Sequence, residues 1–397
     1  MHLLSRILSN REQRLFKDLL KALSLVLDLA LDQKQQHSLR VAVACVQLGA
    51  EAGLPSKELR DLFYAGLLHD IGDIGSDDPA AGARIVSLIP TLEAASGIIR
   101  FHHEFYDGTG PEGLLGESIP LPAQVLALCD AADSLVQSTG PLGSQPVLHT
   151  LQSWRGTRFS RELTDLYQGL QSVWNLEELG EKQWKVLKLD VIDLSYLIDL
   201  QVDYLELTLK VFASIIDTKH RYTQGHSQRV AEFARLLART MGLGAEAERQ
   251  VYYAGFLHDA GKVAVPAAVL DKPSKLTDTE WALIAEHPRK SKRIIEEISS
   301  LEAEAVIAGY HHERWDGRGY PFGLKGEDIP LGSRIMAVVD SYDAMTSTRP
   351  YRVSLSHADA VAELQRCAGS MYDPTVVEFF LDLSEDAILR ISQSSLH

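Results

Sequence analysis

Positive charge is in short supply: 39 lysines and arginines stand against 54 aspartates and glutamates, a formal net charge of −15. A nucleic-acid polymer is held by a basic surface, so DNA or RNA is excluded as the main partner. A small phosphate ligand is not, because a few arginines or a metal ion make a local positive site. Cysteine is scarce as well. Cys45, Cys129 and Cys367 lie far apart and form no C-x-x-C pair, which excludes a disulfide framework and a thiolate metal site and fits a reducing compartment. Long apolar runs are missing too. Charges break every stretch before it reaches the length of a membrane helix, so no membrane span is expected. The N-terminal stretch carries Arg6, Arg11, Glu12, Arg14, Lys17 and Asp18, leaving no apolar core for a signal peptide. A cytoplasmic protein is the expectation.

What is present is a repeat. Residues 63–75 read FYAGLLHDIGDIG and residues 252–264 read YYAGFLHDAGKVA; FHHEFYDG at 101–108 answers YHHERWDG at 310–317. GESIPLPAQVLALCDAAD (116–133) parallels GEDIPLGSRIMAVVDSYD (326–343). Spacings agree: the interval from His37 to His69 equals that from His226 to His258. In the middle they differ, since His258 and His311 stand further apart than His69 and His102. The second copy carries an extra segment there, around VPAAVLDKPSKLTDTEWALIAEHP. Several matches in one order mark a duplication, and 397 residues accommodate two such domains.

The periodicity is helical. In HSQRVAEFARLLARTMGL, Val230, Ala234, Leu237 and Met241 share a face one turn beyond His226. Thr277 and Glu280 form a capping-box pattern that starts a helix leading to His287. No alternating run demands a sheet, so the expected fold is all-α: a domain over 1–140, a loop and helical linker over 141–204, and a second domain over 205–397. The stretch 138–160, rich in Gly, Ser and Pro, reads as a loop or boundary. Residues 176–216 read as an amphipathic connector or a dimerising coiled coil, without the strict heptad the latter needs.

The second copy collects His226, His258-Asp259, His287, His311-His312 and Asp340. A lone helical histidine is usually structural, and neighbours on a helix point about 100° apart. An ordered set is different. Imidazoles with carboxylates and no sulfur suit iron or manganese, with zinc or nickel open.

This series resembles the HD superfamily of metal-dependent phosphohydrolases. The segments HDAGKVAVPAAVLDKPSKLTDTEW, HHERWDGRGYPFGLKGEDIP and DSYDAMTSTRPYR resemble its HD-GYP branch, with Gly319-Tyr320-Pro321 intact, over residues 205–385. The resemblance implies two tandem HD-type helical bundles and hydrolysis of a cyclic dinucleotide, cyclic di-GMP first or the mixed cyclic GMP-AMP. It implies one metal on His226, His258 and Asp340 and a second on His287, His311 and His312. Asp259 would bridge them and Lys262 would meet the phosphate or leaving oxygen. Arg349 and Arg352 match phosphate-binding positions, with Arg352 standing where lysine is more usual. Gly319, Tyr320, Pro321 and Asp343 fall in the substrate-facing group, Asp343 on the helix face of Asp340, from which it would orient a ligand. Gly317 and Gly319 allow the tight loop; Trp315 reads as a stacking surface or a buried anchor. Tyr222 stands where some members place a carboxylate for a third metal, so two ions are expected.

In the first copy His37, His69, Asp70, His102, His103 and Asp130 match six of the seven ligand positions, and Asp78 falls where His287 would be. Asp73 replaces Lys262, Pro111 and Glu112 replace Tyr320 and Pro321, and nothing resembles Arg-Pro-Tyr-Arg. Metal binding stays open there; a structural or regulatory copy is expected, through which a second chain or a signalling partner would act. No receiver or sensor domain is recognisable ahead of the second copy. Two rivals stand beside the enzyme reading: hydrolysis of another phosphate ester such as a nucleoside triphosphate, and a silent receptor or scaffold.

Overall fold

The computed structural model describes residues 10–31, 36–73, 78–89, 92–139, 144–171, 204–218, 225–272, 274–298, 300–347 and 354–393. The chain divides into two compact units, Met1–Tyr204 and Leu205–His397. Helices of the first are α1 (Asn10–Ala30), α2 (His37–Glu51), α3 (Ser56–Leu68), α4 (Pro79–Ser87), α5 (Glu93–Phe101), α6 (Leu121–Thr139), α7 (Ser144–Ser153) and α8 (Arg161–Gln171). The second begins with α9 (Tyr204–Thr218), α10 (His226–Thr240), α11 (Ala245–Leu257), α12 (Ala267–Leu270) and α13 (Asp278–Ala285). It continues with α14 (His287–Glu296), α15 (Glu302–Gly309), α16 (Leu331–Thr346), α17 (His357–Cys367), α18 (Pro374–Leu381) and α19 (Glu385–Gln393). Short 3-10 turns follow α3 and α11 at His69–Gly72 and Ala260–Ala264. Among the described residues extended pairing is limited to isolated bridges. The fold is all-α.

In α10 the apolar face read from the sequence is the core face. Val230, Ala234 and Leu237 are fully buried and Met241 packs at its edge. Phe233, Tyr342 and Phe380 join that core ring to ring, at centroid distances of 5.4 and 4.8 Å. Helices α10 and α11 approach unusually closely. A Cβ on Gly255 would lie 2.4 Å from Ala231 Cα, and one on Gly66 would lie 2.6 Å from Ala42 Cα in the first unit. Only glycine permits this approach. It sets the C-terminal end of α11 beside the start of α10, which brings His258 to His226.

Residues 144–171 correct the expected linker. Glycine, serine and proline hid two amphipathic helices: α7 packs on α6, and α8 on α2, α6 and α7. Val147, Leu151, Leu163 and Tyr167 are buried there. The remaining linker, 172–203, lies outside the described residues. Among the described residues no helix is long and apolar enough to cross a membrane.

One buried acid is unrelated to any site. Glu304 on α15 is 1% exposed and its Oε1 lacks a hydrogen-bond partner. Burial pushes its carboxyl from 4.5 up to about 7, against smaller opposing pulls from a backbone hydrogen bond and Arg249. A group raised in this way contributes its stability fully below pH 4.5 and loses it as pH climbs through 7. Glu304→Gln is therefore expected to raise the melting temperature at pH 8 by on the order of 5 °C, and to change it little at pH 4.5. Thermal melts at the two pH values check this.

Candidate active site

Four histidines of the second unit, His226, His258, His287 and His311, are aimed by their other ring nitrogen. His258, at the end of α11, donates Nδ1–H to Gly255 O at 2.8 Å. His287, the first residue of α14, donates to Ile284 O at 2.7 Å, and His311, past the end of α15, to Ala308 O at 2.6 Å. His226 at the start of α10 uses Asp343 Oδ2 instead, at 2.8 Å. With Nδ1 so engaged, each Nε2 lone pair faces inward, the tautomer a metal ligand needs.

Asp259 sits in the middle. Its Oδ2 lies 3.5 Å from His258 Nε2 and 3.8 Å from His226 Nε2. Its Oδ1 lies 3.3 Å from His287 Nε2 and 4.0 Å from His311 Nε2. One carboxylate thus spans two clusters. Asp340 Oδ1 closes the first, 3.3 Å from His226 Nε2 and 3.9 Å from His258 Nε2. His312 closes the second, within 4.8 Å of His287 and His311.

The neighbours fix the charges. Burial, then the charge of adjacent imidazoles, holds His311 well below its ordinary value and His312 at about 3. Burial also lowers His258. Asp259 is desolvated, which alone would raise it, yet the Lys262 ammonium and the imidazoles hold it well below the carboxylate range. Asp340 is likewise desolvated and held low by His226. For His226, burial works against the charged form, but the bonds to Asp340 and Asp343 win and lift it to about 10. Neutral His258, His311 and His312 beside ionised Asp259 and Asp340 form a divalent-cation site, and a bound ion would take the place of the proton that the two carboxylates hold on His226. His258 Nε2 and Asp259 Oδ1, buried without a hydrogen-bond partner, fit that role rather than a packed core, where such atoms are costly.

Three features escaped the sequence. The His311-His312 pair does not ride on a helix. α15 ends at Gly309, so the helical angle between neighbours does not apply and both rings turn inward, their centroids 4.1 Å apart. Glu313, next in line, is 3% exposed and accepts the backbone N–H groups of Phe322, Gly323 and Leu324. It thereby holds the loop of Gly319, Tyr320 and Pro321. Glu104 does the same for Glu112 and Leu114 in the first unit; the His-His-Glu triplet shared by both copies was the available signal. Third, Arg229, three residues after His226, pairs with Asp343 through Nε at 2.6 Å, as Arg40 pairs with Asp133.

Asp343 orients a ligand, His226, and only its place in the substrate-facing group is corrected. It does not face substrate: at 2% exposure it lies behind His226, held by Arg229 and Ser347. Asp343→Asn is expected to weaken metal affinity roughly 10–100-fold while saturating metal restores most activity, as for other supporting partners of ligand histidines. Competition titration against a chelator, with rates at low and high metal, checks this.

Around the loop, Gly319 lets the chain fold back, since a Cβ would lie 2.3 Å from Arg314 N. Gly317 sits at φ +79, and the Tyr320-Pro321 bond is cis. Tyr320 lies against His312, centroids 4.9 Å apart, and Arg289 donates to Pro321 O at 2.7 Å. Trp315 is half-buried with Arg334 over its ring, and its backbone pairs with Met371 and Gly326. Lys262 Nζ is 2.5 Å from Asp259 Oδ2. Tyr222, Arg349 and Arg352 lie outside the described residues.

The first unit keeps half of this. His37 Nε2 lies 3.5 Å from both Asp70 Oδ2 and Asp130 Oδ1, and His69 Nε2 lies 3.0 Å from Asp70 Oδ1. His37 Nδ1 pairs with Asp133 and His69 Nδ1 with Gly66 O. The other half is lost. Asp78, expected where His287 would be, is spent as the N-cap of α4: it accepts from Ala80 N at 2.9 Å and meets Arg84. His102 is buried, its Nδ1 bonded to Ile99 O, and His103 stands against its ring. Among the described residues neither belongs to a ligand cluster of the kind His287, His311 and His312 form.

The HD domain family matches residues 35–135, and a second HD-domain profile matches 210–376. A 3'3'-cGAMP-specific phosphodiesterase of Vibrio cholerae is 30% identical over 328 residues, covering 79% of this chain and 69% of the relative. A cyclic di-GMP phosphodiesterase of Thermotoga maritima is 37% identical over 186 residues, 46% of this chain and 50% of the relative. A crystal structure of a cyclic GMP-AMP specific phosphodiesterase of V. cholerae superposes with a TM-score of 0.66 at 26% identity, covering 93% of this chain and 98% of that one. With both copies matched and most of a relative's length spanned at that identity, the chain belongs to the HD-GYP family of HD-domain phosphodiesterases.

Proposed function

We propose that the second unit hydrolyses a cyclic dinucleotide, cyclic di-GMP in the first place, to a linear dinucleotide and onward to mononucleotide. One observation carries the reading: the Asp259 carboxylate reaches two separate imidazole clusters with its two oxygens. His226, His258 and Asp340 would hold one divalent ion, and His287, His311 and His312 a second, with Asp259 common to both. Nitrogen and oxygen donors without sulfur favour iron or manganese. When bound, such ions supply Lewis acidity toward the phosphate and toward water. Lys262, its side chain 22% exposed, presents an ammonium at the edge of Asp259, placed to meet the phosphate or to protonate the leaving oxygen. Arg349 and Arg352 would bind phosphate with their planar forks.

The first unit would hold at most one ion, through His37, His69, Asp70 and Asp130, and serve structure or regulation through a second chain or a partner. The mixed cyclic GMP-AMP is the second reading for substrate. It is favoured by one observation: two V. cholerae relatives whose matches run through most of both chains are named for 3'3'-cGAMP. Action in the cytoplasm agrees with the reduced, disulfide-free cysteines. The test is chromatography of products after iron- or manganese-loaded protein meets cyclic di-GMP, 3'3'-cGAMP and a nucleoside triphosphate separately. Consumption of a cyclic dinucleotide is expected; consumption of the triphosphate alone, or of nothing, defeats the reading.

A further inference from the structure

The segment that lengthens the second copy ends in α13, and α13 has no buried residue. Core packing does not hold this helix. It is fixed at its start by the reciprocal capping box of Thr277 and Glu280 and by Lys272, whose ammonium reaches both Glu280 oxygens at 2.7 and 2.6 Å. On it stands Trp281, 50% exposed. Its indole meets the Tyr320 ring with centroids 5.7 Å apart and planes at 77°. Tyr320 in turn lies against His312 at 4.9 Å, with 34° between planes. A large flat ring is thus held in solvent, two ring contacts from the metal cluster, by a helix that contributes nothing to the core.

We propose that Trp281 is the stacking surface for one purine base of the substrate, with Tyr320 as the ring that braces it. This rests on the cyclic-dinucleotide reading. A base lies one sugar away from its phosphate, so a phosphate at the Asp259 cluster places the base at the rim where the indole stands. Every base offers a π-face, and purines offer the larger one. The first copy, which lacks the segment, has also lost Tyr320 and Lys262, so base and phosphate handling disappeared together.

The test uses the full metal-loaded chain with Trp281→Ala and Trp281→Phe, assayed on cyclic di-GMP and on cyclic di-UMP. Removing one stacking ring is expected to raise KM for cyclic di-GMP roughly 5- to 100-fold with kcat within about threefold. Phenylalanine should recover most of the loss, and alanine should narrow the preference for the purine substrate. Should the alanine variant fail to fold, Trp281→Leu, bulky but without a π-face, is expected to show the same rise. An unchanged KM in the alanine variant, or an equal loss of kcat in the alanine and phenylalanine variants, overturns the inference while leaving the hydrolytic reading intact. A wild-type chain that cleaves neither of these dinucleotides nor 3'3'-cGAMP overturns both.

Discussion

Asp259→Asn is expected to reduce hydrolysis roughly a thousandfold or more, beyond the 10–100-fold that follows loss of a supporting partner. The side chain is 2% exposed and nearly isosteric with its replacement, so the fold should survive. What changes is charge and donor set. The carboxylate faces His226 and His258 with one oxygen and His287 and His311 with the other, so each oxygen serves a different pair of imidazoles. An amide offers one oxygen and turns an NH2 group on the remaining imidazoles, whose Nε2 atoms then meet a donor. Lys262 loses its counter-charge at 2.5 Å at the same moment. Steady-state rates with saturating metal, together with a circular dichroism melt close to wild type, check this; retention of more than a tenth of the activity contradicts the role.

Gly261→Ala is expected to cost on the order of a hundredfold through geometry alone. A Cβ there would lie 2.1 Å from His287 O and 2.7 Å from Ser291 N, both backbone atoms that cannot rotate away. Gly261 N also donates to Ser291 Oγ at 2.8 Å, which clamps the 3-10 turn after His258 onto the first turn of α14. Ordinary contact requires α14 to retreat by about 1 Å, carrying His287 with it, and misplacement on that scale costs about 10²-fold in a site that depends on position. The two halves of the cluster should part. Metal affinity of the His287 group is expected to fall while that of the His226 group holds, visible as two separated transitions in a metal titration. A single unchanged transition contradicts it. The same close approach in the first unit, a Cβ on Gly72 at 2.3 Å from Asp78 O, shows that the backbone of the duplicate outlived its ligand.

Much of the fold and the cluster was legible because the cues were local and doubled. The face of Val230, Ala234 and Leu237 and the capping box at Thr277 depend on neighbours in sequence, and each histidine but His287 was seen twice at matching places in the repeat. What was not legible depended on where helices end and which way polar groups turn. Asp78 aligns with His287, yet a short carboxylate one residue before a Pro-started helix finds nearer donors in that helix's own N–H groups than in a distant cluster. Glu313 reads as one more surface acid until the loop folds over it. Asp343 shares a helix with Asp340, but one helical turn and a nearby Arg229 put it behind the histidine rather than before the substrate.

On this reading chemistry belongs to the second copy and the first is a worn duplicate. Matched substitutions at the two equivalent aspartates test it most directly: Asp259→Asn and Asp70→Asn, in the full chain, assayed side by side for cyclic-dinucleotide hydrolysis under saturating iron or manganese. Activity is expected to be abolished by the first and kept within about threefold by the second, each folding as wild type. Equal loss from both, or loss from Asp70→Asn alone, contradicts it.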